Sequence, residues 1–217
     1  MKINNQFFII LFFLTNTTHA QNLYIGLKAG INYTNVIAQY FDDKVSKTGL
    51  CTGITLDYTF SNKIMLSADL LYSQRGFGNY FLFGNNISAT GSVSTGRELV
   101  YFHYDYLSVP LKIGFSRGKN YSAFGNVGLI PSYLVNSKTV FEDGSSNDNT
   151  DKVSKFDLAG QLELGFGYTF KESYFIYTSF SFVHSFTHLT NENYLYQVYL
   201  KNYGLNASVG IKYKFKK

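Results

Sequence analysis

His184 and Ser185, with His188 four residues on, bring an imidazole beside a hydroxyl, the pairing that acyl transfer uses as base and nucleophile. Adjacent residues of a strand point to opposite faces, so this pair shares no hydrogen bond while the chain stays extended. Rim histidines meeting headgroups or water are the simpler expectation. His103 and Asp105 share one face at i, i+2, which orients an imidazole or offers two metal ligands, but no third His, Cys or carboxylate adjoins them. Glu142, Asp143, Asp148 and Asp151 lie in and around an Asp-Gly-Ser-Ser-Asn-Asp-Asn run that lacks the ordered 1-3-5 spacing and final Glu of a calcium loop. Cys51 is the single cysteine, which excludes a disulfide framework and a CxxC pair. No catalytic, cofactor-binding or metal-ligating residue is therefore assigned. No cofactor and no enzymatic activity are expected.

Any such groups need elements to hold them, and the first element is a leader. Lys2 precedes the apolar block Phe7-Phe8-Ile9-Ile10-Leu11-Phe12-Phe13-Leu14, far short of the roughly 20 residues of a membrane-spanning helix. Thr18-His19-Ala20 supplies small residues at −3 and −1, so residues 1–20 read as a signal peptide and 21–217 as the mature domain. No run of 18 apolar residues follows Ala20. If the mature chain crosses a membrane, it does so as strands.

Of the 217 residues 45% are hydrophobic and 18% aromatic, with 21 Phe, 19 Tyr, 19 Gly and only 2 Pro. That weight lies in β-formers. The formal charge of +5 is not gathered into a phosphate-binding stripe; the densest basic stretch, Lys212, Lys214, Lys216 and Lys217, alternates like a strand end. Nucleic acid is not an expected partner.

Period-two alternation marks eight strands, over 23–32, 50–60, 64–73, 107–115, 121–130, 156–170, 174–182 and 205–215. The fifth is the weakest, because Phe124 and Ile130 break its parity. Short turns join the second and third, fourth and fifth, and sixth and seventh strands. Long polar connections occupy about 34–48, 75–100, 136–153 and 186–201. Short turns at one end and long loops at the other describe an all-β fold: an eight-stranded antiparallel transmembrane β-barrel with periplasmic turns and extracellular loops, in the bacterial outer membrane.

The mid-strand charges Lys28, Asp57, Asp69, Lys112, Glu163 and Lys212 all fall on the polar parity, opposite a continuous apolar face. A barrel in lipid requires that polarity, apolar out and charged in. An eight-stranded lumen is only wide enough for side chains to fill, so three bases and three acids should pair as a plug. On this reading Leu164→Arg damages folding more than Glu163→Gln, which removes one partner of the network.

Leu70-Leu71-Tyr72-Ser73-Gln74-Arg75-Gly76 and Tyr106-Leu107-Ser108-Val109-Pro110-Leu111-Lys112 resemble stretches typical of the PorT-like outer membrane β-barrel proteins of Bacteroidetes. Gly160-Gln161-Leu162-Glu163-Leu164-Gly165-Phe166-Gly167 and the closing Gly210-Ile211-Lys212-Tyr213-Lys214-Phe215 are similar to the later strands of that family. The resemblance implies a small structural or accessory barrel, with a secretion component or surface ligand meeting its outer loops. It supplies no catalytic or ligand residues. Expected partners are outer membrane lipids and lipopolysaccharide, the barrel assembly machinery that reads closing strands, and a secretion-system or surface protein. The alternatives are a lipid-modifying enzyme using the rim His and Ser, or a narrow solute channel. Pro110 lacks a ladder donor, which points to a bulge or local break near Val109–Pro110; because a barrel has no free edge, a bulge is the expectation that remains.

Overall fold

The computed structural model describes residues 23–38, 41–60, 63–87, 93–190 and 199–215. The expected signal peptide and the Ser61-Asn62 turn lie outside them. The strands are β1 (Leu23–Ile37), β2 (Lys44–Phe60), β3 (Ile64–Ile87), β4 (Val93–Ser108), β5 (Leu111–Gly118), β6 (Tyr121–Val140), β7 (Ser146–Asp148), β8 (Phe156–Phe170), β9 (Tyr174–Ser185) and β10 (Lys201–Lys214). All pairings are antiparallel, and β10 returns to β1 with Tyr24 opposite Lys214 and Ile37 opposite Lys201. Closure leaves the sheet no edge.

Among the described residues ten strands form where eight are expected, for two separate reasons. β7 is a three-residue strand in the third outer loop that pairs only with the outer end of β6. β4 and β5 share one position in the wall, each pairing with β3 on one side and β6 on the other. Eight positions therefore surround the lumen. The split falls at Val109–Pro110, but no residue is inserted: Ser108 opposes Leu71 and Leu111 opposes Ala68, so the register is the same on both sides. The expected bulge is therefore absent, and a break in the strand stands in its place. Pro131, the second of the chain's two prolines, lies across the gap, so two missing donors fall in one place. Val109 N–H donates to the Pro131 carbonyl at 2.9 Å and Asp69 N–H to the Pro110 carbonyl at 3.0 Å, which keeps the wall closed.

A tilted spanning strand needs about 9–11 residues. β3 has 24 and β6 has 20, so their outer halves stand above the membrane. Much of the sequence expected to be loop is thus strand. Ladder hydrogen bonds and the aromatic run Phe77, Tyr80, Phe81, Tyr101 and Phe102 hold these extensions without lipid to impose alternation. A one-residue register shift between Ser46 and Cys51 leaves backbone groups of Gln74 and Gly76 outside the ladder. Side chains of β1 reach across to them. Asn32 Nδ2 donates to the Gln74 carbonyl at 2.9 Å, while the Thr34 hydroxyl donates to the Gly76 carbonyl at 2.8 Å and accepts from its N–H at 2.9 Å. Gly49, between them on β2, must lack a side chain, since a Cβ there would collide with the Gln74 carbonyl.

Facing follows the alternation. Leu164 is 63% exposed and its neighbour Glu163 1%, and the aliphatic and aromatic parity of every spanning strand is turned outward in the same way. Phe124 and Ile130, which break parity, are buried inside the barrel.

Candidate functional site

All six charges placed on the polar parity point into the lumen and are buried. Four of them, from β1, β3, β5 and β8, form one cross-brace. Lys28 Nζ lies 2.7 Å from Glu163 Oε1 and 4.0 Å from Asp69 Oδ2; Lys112 Nζ lies 2.8 Å from Asp69 Oδ2 and 3.0 Å from Glu163 Oε2. Glu163 also accepts from Asn126 Nδ2 at 2.9 Å and from the Ser179 hydroxyl at 3.0 Å. Nearer the periplasm Lys212 pairs with Asp57 and its ammonium lies 4.3 Å from the centre of the Tyr177 ring. Buried charges are tolerated only with partners of this kind, and here each cation is matched.

A third ionic group lies further out and is not among the expected six. Arg75 Nη1 donates to Asp157 Oδ2 at 2.8 Å, and its Nη2 reaches the Ser132 hydroxyl at 3.2 Å. Asp157 also accepts from Ser185 at 2.9 Å and from Thr187 at 2.8 Å, which ties the start of the fourth outer connection to the wall. Continuing period two past Ser73 places Arg75 inside, and Asp157 already stands on the polar parity of the 156–170 strand. Asp157→Asn leaves Arg75 buried without a counter-charge, so we expect it to cost about 3 kcal/mol or more. Limited proteolysis should then cut between Phe186 and Thr190 in the variant and spare that segment in the parent protein.

Apolar side chains close both ends of the ionic interior. Val36, Phe77, Tyr104, Tyr106, Leu134, Val153, Leu189 and Leu200 pack as one buried cluster at the outer mouth, with Phe77 and Phe102 rings stacked at 4.8 Å. Val153, Leu189 and Leu200 come from the third and fourth outer connections. The Leu189 N–H donates to the Leu200 carbonyl and the Ser154 N–H to the Leu189 carbonyl, both at 2.8 Å, so these segments fold into the mouth as a cap. Their setting in polar sequence hid them. At the periplasmic end Met65, Phe124 and Tyr177 pack together against Phe175. Between the four-charge brace and the Arg75–Asp157 pair remains a cavity of about 40 Å³, lined by Lys28, Asn32, Cys51, Ser73, Arg75 and Gln161 among others. It has room for about three water molecules.

The other sequence candidates do not converge. Ser185 is buried and donates to Asp157, whereas His184 lies on the opposite parity with its ring 6.4 Å from Phe186. His188 packs at 4.9 Å against Tyr199. His103 pairs edgewise with Tyr101, and Asp105 accepts from Asn136 Nδ2 at 3.1 Å. Asp143 and Asp148 accept backbone N–H bonds from Ser145 and Thr150 at 2.8 Å, holding turns of the third loop; hydrogen bonds from those same residues keep both carboxyls below the usual carboxylate range. Among the described residues, no three His, Cys, Asp or Glu side chains gather as a metal site.

A closed antiparallel ring, apolar towards its surroundings and ion-paired within, is a transmembrane β-barrel. The chain belongs to the outer membrane protein beta-barrel domain family, whose model matches residues 19–191, and it resides in the bacterial outer membrane. Among solved structures it is similar to Neisserial surface protein A (NspA), with 11% identity over 89% of this chain and 97% of that one and a TM-score of 0.50. OprG from Pseudomonas aeruginosa has 13% identity over 90% and 97%, at 0.47. Ail of Yersinia pestis, solved with a heparin analogue, has 15% over 87% and 99%, at 0.42. At such identities the likeness concerns fold alone. No curated protein matches the chain.

Proposed function

We propose that this protein is an accessory outer membrane barrel of the PorT-like kind, carried to the membrane by a signal peptide over residues 1–20, whose outer hairpins hold a secretion component or surface ligand. Its lumen serves stability, not transport or catalysis. The observation that carries this reading is the contrast between an interior filled at successive levels by aromatic, ionic and apolar layers and a sheet that continues well above the membrane. The outer end of the β3–β4 hairpin is a built surface. Arg97 lies 4.2 Å over the Tyr80 ring and 3.0 Å from Asp43, and Leu82 beyond them is 74% exposed.

A photo-crosslinker placed at Leu82 or Lys44 in intact cells is expected to yield one discrete protein adduct at native expression. Adducts with lipopolysaccharide alone would contradict the accessory role. In planar bilayers the purified barrel should conduct no more than the bare membrane; steady single-channel steps would return the channel reading to first place.

A further inference from the structure

The charge of this chain is unevenly shared between its two ends. Lumenal bases and acids cancel, and the outer connections hold acids and bases in near-equal number. The periplasmic end is different. Its described turns and the end of β10 carry Lys63, Arg117, Lys119, Lys171 and Lys214 against Glu172 alone, with Lys216 and Lys217 following in sequence. The net positive charge of the protein therefore sits at that end.

Backbone hydrogen bonds arrange these cations as a ring. The Ser116 N–H donates to the Lys63 carbonyl at 2.8 Å, which sets Lys63 beside Arg117; the Thr169 N–H donates to the Asn120 carbonyl at 2.7 Å, which sets Lys119 near Lys171. The Lys214 N–H donates to the Ser173 carbonyl at 2.6 Å, and the Phe215 N–H to Leu23 at 2.9 Å, completing the circuit. Each cation follows an outward-facing aromatic or a strand end by a few residues: Phe60 before Lys63, Phe115 before Arg117, Phe170 before Lys171, Tyr213 before Lys214. Interfacial aromatics lie at headgroup depth, so the next residues towards the periplasm meet the phosphates. Lys63, Arg117, Lys119 and Lys171 are exposed, and among the described residues none of the five basic groups forms an ion pair.

We propose that this basic rim binds the anionic phospholipid headgroups of the periplasmic leaflet and so gathers acidic lipid around the barrel. The inference rests on the short turns facing the periplasm and is independent of the accessory role. An acidic lipid phosphate is the occupant that the ring meets at its own depth in the membrane, and cations held at such a surface attract it additively.

The test uses the folded protein in phosphatidylcholine vesicles containing a trace of spin-labelled phosphatidylglycerol or spin-labelled phosphatidylcholine, and compares the motionally restricted fractions. Both leaflets are alike in such vesicles, so barrel orientation does not matter. Phosphatidylglycerol should be preferred by about fivefold or more, and the preference should fall as salt rises. In Lys63→Gln/Arg117→Gln/Lys119→Gln/Lys171→Gln it should fall to near parity, while Lys152→Gln/Lys155→Gln in the outer loop should retain it. Should the fourfold variant fail to insert, Lys63→Gln/Arg117→Gln alone should still lower the preference. Full selectivity in the rim variants overturns the proposal. So does its absence in the parent protein, and binding to isolated peptidoglycan sacculi in that case would assign the rim to cell-wall carboxylates instead.

Discussion

Glu163→Gln is expected to destabilise the folded barrel by about 3–5 kcal/mol, read as a fall in the urea midpoint and in the heat-modifiable fraction in lipid vesicles. The reason is the position of this carboxylate between two lysines. Lys28 and Lys112 share Glu163 and Asp69, so neutralising one acid leaves two ammonium groups around a single counter-charge in a lumen without bulk water. Viewed from sequence, Glu163 is one of three acids among three bases, and its loss should be the milder of the two changes considered there. Structure raises the cost. Because the penalty comes from an unmatched cation, Lys28→Met should restore much of the stability when combined with Glu163→Gln, and the double variant should lose less than the two singles summed. Additive losses would mean that the four groups do not act as one network.

Leu164→Arg is expected to cost about 2–4 kcal/mol, because it sets a guanidinium on the lipid face near the middle of β8. Leu164 is flanked across the ladder by Gly125 and Phe180, the latter also exposed, and no acid of the outer face stands opposite. The two substitutions at neighbouring positions therefore cost similar amounts for unlike reasons. Rescue separates them: removing Lys28 should help the Glu163 variant and do nothing for Leu164→Arg. A Leu164→Arg protein as stable as its parent would mean that this face does not meet lipid.

Much of the architecture could be read directly because lipid imposes a strict code. Where a strand crosses hydrocarbon, each outward residue must be apolar, and so 23–32, 156–170 and 205–215 show alternation plain enough to fix facing, closure and the six inward charges. Above the membrane the code lapses. The outer ends of β3, β4 and β6 face water on one side and a packed mouth on the other, and their polar, Gly-containing stretches look like loops although the ladder continues through them. Arg75 is hidden for the same reason, since it lies past the 64–73 alternation; Asp157 stands on the polar parity of 156–170, near the outer end of that strand, and only the structure shows the arginine it meets. The apolar cap was hidden differently. Val153, Leu189 and Leu200 are isolated hydrophobic residues in polar segments, and only tertiary contact brings them together. Pro110 marks the right place but not the form, a break standing where a bulge is expected, and the part of Pro131 shows only in the structure, where the two prolines face the same gap.

The most direct test of an apolar-out barrel with a closed interior is spin-label accessibility along β10 in lipid vesicles, with Cys51 replaced by Ser. Labels at Leu205, Ala207 and Val209 should collide strongly with oxygen, which concentrates in lipid, because these side chains face outward and Val209 is 61% exposed. Labels at Asn206 and Ser208 should be shielded both from oxygen and from a water-soluble nickel chelate, since Ser208 is 4% exposed and sits within the packed lumen. A two-residue alternation along β10 is the expected result. Oxygen maxima at 206 and 208 would contradict the facing, and strong collision of the nickel chelate at 208 would contradict the closed lumen.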